Sequence, residues 1–70
     1  MSPIRLIYHA QHNIWVTIDQ DGFYCEINSQ TPNGRDSGAC LHTTDPRLTE
    51  LEAVADAQDW IDAHTQFSAA

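Results

Sequence analysis

Four histidines and two cysteines are the residues of this chain best suited to chemistry. Cys40-Leu41-His42, joined by Cys25 and one of His9, His12 or His64, would offer nitrogen and sulfur donors of the kind zinc binds. Structural zinc sites bring their ligands as close pairs, however, and a single Cys-x-His does not make that pattern. The same thiols beside an imidazole would make a nucleophile and its base, yet their flanking residues carry no catalytic signature. Asp56, Asp59 and Asp62 suggest paired carboxylates, but a general acid must be desolvated in a cleft, and a chain of 70 residues has little room for one. Asp19, Asp21 and Gly22 begin like a calcium loop and then lack its further oxygen ligands and terminal glutamate. The expectation is a non-enzymatic protein with no catalytic residue, no bound metal and no cofactor.

The charge is more informative. Ten Asp and Glu stand against three Arg and no Lys, a net charge of −7. Residues 1–18 hold no acid, and six acids gather in 45–62: Asp45, Glu50, Glu52, Asp56, Asp59 and Asp62, offset by Arg47. Phosphate backbones and anionic membranes attract Lys and Arg, so this balance disfavours direct binding to nucleic acid or membrane. The sequence contains no apolar run of membrane-spanning length, and MSPIRLIYH lacks the basic and apolar segments of a secretory leader, which points to the cytoplasm and to reduced Cys25 and Cys40.

These side chains need elements to position them. Period-two alternation predicts strands at 4–9, 14–19 and 23–28. In the first, Ile4, Leu6 and Tyr8 oppose Arg5, Ile7 and His9; in the second, Ile14, Val16 and Ile18 oppose Trp15, Thr17 and Asp19; in the third, Phe23, Cys25 and Ile27 oppose Tyr24, Glu26 and Asn28. Asp21-Gly22 suits a tight hairpin between the last two, with Ile18 opposite either Cys25 or Phe23. The first turn, 10–13, has Asn13 as its candidate for left-handed backbone. Residues 29–39 have the Ser, Pro, Asn and Gly content of a long, mobile loop, with room for a short strand near Cys40 to His42.

Two helix-start signals follow: Asp45-Pro46, and the capping box Thr49 with Glu52. A helix beginning between 45 and 50 and ending near His64 or Thr65 places Ala53, Val54, Ala57, Trp60, Ile61 and His64 on one arc, with Leu51 at its edge. Glu52, Asp56, Asp59 and Asp62 occupy the opposite arc. The predicted fold is α+β, a single domain over 1–70 in which a three-stranded antiparallel meander packs on one C-terminal helix, with a tail at 66–70.

Two surfaces emerge as candidate binding sites. Glu52, Asp56, Asp59 and Asp62 spread charge over about 15 Å of helix. That is roughly one charge per 4 to 5 Å, closer to one strand of nucleic acid, at ~3.4 Å per charge, than to a duplex. Asp59 and Asp62 lie near the negative end of the helix dipole, where stability alone does not favour them. Small acidic proteins that block restriction or CRISPR systems resemble this chain in size and charge. The expectation is a protein-binding module that fits a basic partner surface, most specifically as an inhibitor of a nucleic-acid-binding complex. The alternative is an accessory subunit that homodimerises or docks through the outer sheet face, where Ile7, Trp15 and Tyr24 are expected.

Overall fold

The computed structural model describes residues 2–65 and contains four strands and one helix: β1 (Ser2–His9), β2 (His12–Asp19), β3 (Gly22–Gln30), β4 (Asp36–Thr43) and α1 (Glu50–Thr65). The strands form one antiparallel sheet in the order β1-β2-β3-β4, with α1 packed over β2 and β3. The tail expected at 66–70 lies outside the described residues.

The first three strands fall where alternation places them. Register pairs Ile7 with Ile14, Ile14 with Ile27, Val16 with Cys25, and Ile18 with Phe23. Apolar side chains of consecutive strands therefore share one face, and α1 buries that face with Ala53, Ala57 and Ile61. Two alanines at the contact let the helix approach the sheet closely. The larger Ile14, Val16, Ile27 and Ile61 are fully buried, each contributing about 1.5–3 kcal/mol of transfer free energy.

Of the two tight turns, the first differs from expectation, and the second takes the register that sets Ile18 opposite Phe23. Ala10 and Gln11 adopt left-handed backbone, with φ of 47° and 65°, and Asn13 is instead a buried residue of β2. A two-residue hairpin joining His9 to His12 requires that twist, whatever residues occupy it. In the second hairpin Asp19 opposes Gly22, the Asp21 amide bonds the Asp19 carboxylate, and Gly22 has φ 128°. A side chain at Gly22 would collide with the Arg47 carbonyl, which lies against the start of β3.

The fourth strand corrects the three-strand expectation. Residues 36–43 lack an alternating apolar pattern because β4 is held by polar contacts and is largely exposed. Its pairing is irregular: Asn28 faces Cys40 and Gln30 faces Asp36, so 37–39 bulge opposite Ser29, with Gly38 at φ 81°. The turn is thereby reduced to residues 31–35. Beyond β4, Thr44 exchanges two hydrogen bonds with the Cys25 backbone, and Arg47 pairs with Phe23. Asp45-Pro46 thus belongs to an extended segment. The helix starts at the capping box instead, where the Thr49 hydroxyl accepts from the Glu52 amide at 3.2 Å and donates to the Glu52 carboxylate at 3.0 Å.

Candidate functional site

The acidic arc of α1 is present but is not a row of four free charges. Arg47 donates to both Asp56 oxygens, at 2.7 and 3.2 Å, and the Asp56 carboxylate holds the Arg47 guanidinium still more firmly protonated. His9 Nε2 lies 2.8 Å from Asp62, and Glu52 is engaged with Thr49. Asp59 is the member of the set that makes no hydrogen bond or ion pair among the described residues. A further pair, Arg5 to Glu50 at 3.0 Å, ties β1 to the first turn of the helix. These contacts are partly solvated, so each adds little to stability, and they link the helix to β1 and to the segment that precedes it.

The outer sheet face also differs from its expected composition. Leu6 pairs with Trp15 and Trp15 with Glu26, so they share the face away from α1 with Tyr8, Thr17 and Tyr24. Ile7 does not: it packs against the core on the helix side, because the tight turn at 10–11 sets a register opposing Ile7 to Ile14. The same register turns Arg5 and His9 toward the helix. Trp15 is half-buried, and its indole N–H donates to Asp36 at 2.7 Å. The Gly38 amide and the Asn28 side chain also donate to Asp36, and with the Trp15 bond leading, these donors hold its carboxyl down to about 2. Tyr24 is raised above its ordinary value by desolvation, with Glu26 and Asp19 adding to the effect.

The thiols and imidazoles do not converge. Cys25 lies in the core, where burial first, and then Glu50 and Asp56, push its thiol up to about 11, so it remains protonated at neutral pH. Cys40 is exposed and paired with Asn28 on the outer face, and both cysteines are free. His42 and His64 each stack on the Trp60 indole, with ring centroids 4.8 and 4.0 Å away. Among the described residues no three His, Cys, Asp or Glu side chains are grouped to hold a metal, and no helix is long and apolar enough to cross a membrane.

Sequence reasoning missed an apolar patch. Leu48 and Leu51 are 88% and 80% exposed, and Ile4 and Ile18 remain about half exposed at the same end of the sheet. Periodicity sets Leu51 at the edge of the packing arc, whereas the core is completed by Ala53, Ala57 and Ile61 without it. No family model, curated protein or solved structure matches the chain.

Proposed function

We propose that this chain is a non-enzymatic protein-binding module whose acidic surface occupies a basic surface on another protein, most specifically as an inhibitor of a nucleic-acid-binding complex. The observation that carries the reading is the solvent side of α1. It presents Glu52, Asp56, Asp59 and Asp62 opposite the packed stripe, on a helix that contains no Lys or Arg. Asp56 is ion-paired with Arg47 and Asp62 is hydrogen-bonded to the His9 ring, so Glu52 and Asp59 are the acids of the arc with no basic side chain paired to them among the described residues. A partner groove that ordinarily holds phosphates supplies cations of that kind.

Capture from a host lysate on the immobilised chain, compared with the Glu52→Gln and Asp59→Asn double variant, tests this. The expected partner has a basic surface, releases with rising salt, binds the variant less tightly, and loses its nucleic acid to the wild-type chain. Equal retention by the variant, or undisturbed nucleic-acid binding, overturns the reading.

The second reading is docking or homodimerisation through the outer sheet face, by Trp15 and Tyr24 with Leu6 and Tyr8 in place of Ile7. The 66% exposure of Tyr8 favours it. Sedimentation of Tyr8→Ser beside the wild type would reveal such a dimer.

A further inference from the structure

Four of the large exposed hydrophobics gather at one end of the molecule. Ile18 pairs with Ser2 at the start of β1 and with Phe23 at the start of β3; Phe23 is bridged to Arg47, next to Leu48; and Arg5, next to Ile4, is ion-paired with Glu50, next to Leu51. Ile4, Ile18, Leu48 and Leu51 therefore stand around the pole formed by the β2–β3 turn and the start of α1. Apolar side chains scattered singly are ordinary on a protein surface, but a cluster rimmed by polar groups marks a contact site. Leu48 makes the case sharper. It precedes the capping residue Thr49, where an apolar side chain commonly staples the first helical turn, yet here it is left in solvent.

The rim identifies the occupant. Asp19 ends β2 and Asp21 lies in the turn that follows, Asp45 stands two residues before Arg47, and Glu50 and Glu52 flank Leu51; Arg5 and Arg47 at this pole are paired with Glu50 and Asp56, so the rim stays net acidic. A second copy would set these carboxylates against themselves, and an anionic lipid surface would be repelled. Resting on the proposed function above, we infer that this pole docks into an apolar pocket on a partner protein, rimmed by Lys and Arg, with Leu48 and Leu51 as the inserted side chains. The acids steer and orient the approach while the leucines supply burial, a division of roles common at protein interfaces.

The probe is a synthetic amphipathic helix of leucine and lysine, titrated into the isotope-labelled chain beside leucine–glutamate and serine–lysine counterparts. The leucine–lysine peptide should perturb the amides around Ile4, Ile18, Leu48 and Leu51, and the leucine–glutamate peptide should not. Leu48→Ser with Leu51→Ser should weaken binding at least about tenfold, with the remaining amide spectrum unchanged because neither side chain is in the core. Equal binding of the serine–lysine peptide, or no loss in the double variant, overturns the leucine pole and leaves acidic recognition standing. Failure of both lysine peptides to bind, or equal binding of the leucine–glutamate peptide, overturns that recognition as well. Self-association in sedimentation, or binding to neutral phosphatidylcholine vesicles, that is lost in the double variant assigns the pole to a second copy or to lipid, and overturns the inference.

Discussion

At Asp36 donors converge from three parts of the chain: the Trp15 indole, the Asn28 amide group and the Gly38 backbone. One carboxylate thereby attaches an exposed strand to the sheet. Because its folded pKa of about 2 lies below the ordinary 3.8, the stability it supplies is present above pH ~4 and is lost as pH falls toward about 2. Asp36→Asn should therefore lower urea stability at neutral pH and converge with the wild type near pH 2. Trp15→Phe should raise the Asp36 pKa, followed by its carboxyl resonance, because the leading donor is removed. If Trp15 served only as an interface residue, the Asp36 titration would not move. Asp36 and Trp15 could not be paired from sequence, since 21 positions separate them and no local motif joins them.

At the scale of elements, pattern was legible where burial creates it. Three strands alternate because one face is covered, and α1 is announced by its capping box and apolar arc. The strand β4 escaped because its order comes from Asp36, Thr44 and backbone pairing, with little apolar burial to mark it. The turn at Ala10 and Gln11 escaped for a related reason: neither residue favours positive φ, so the flanking strands impose it. Replacing the pair by Asn-Gly should relieve that strain and stabilise the protein by about 1–2 kcal/mol, read from the thermal midpoint. An unchanged or lower midpoint would show that the turn is unstrained.

At the scale of the whole molecule, one small core carries most of the stability. Ile61→Ala removes the largest buried side chain of the helix and should cost about 2–5 kcal/mol, a large part of what a 70-residue domain has, measured by urea unfolding. A cost below about 1 kcal/mol would mean that the helix is not anchored there. Net charge, the α+β class and the acidic arc of α1 follow from composition and periodicity alone, because each depends on residue type and local spacing. Which acids are neutralised, which face receives Ile7, and where Leu48 and Leu51 meet Ile4 and Ile18 depend on strand register and on how α1 crosses the sheet. Those are long-range contacts, chosen by the packing of the core, and only the tertiary structure decided them.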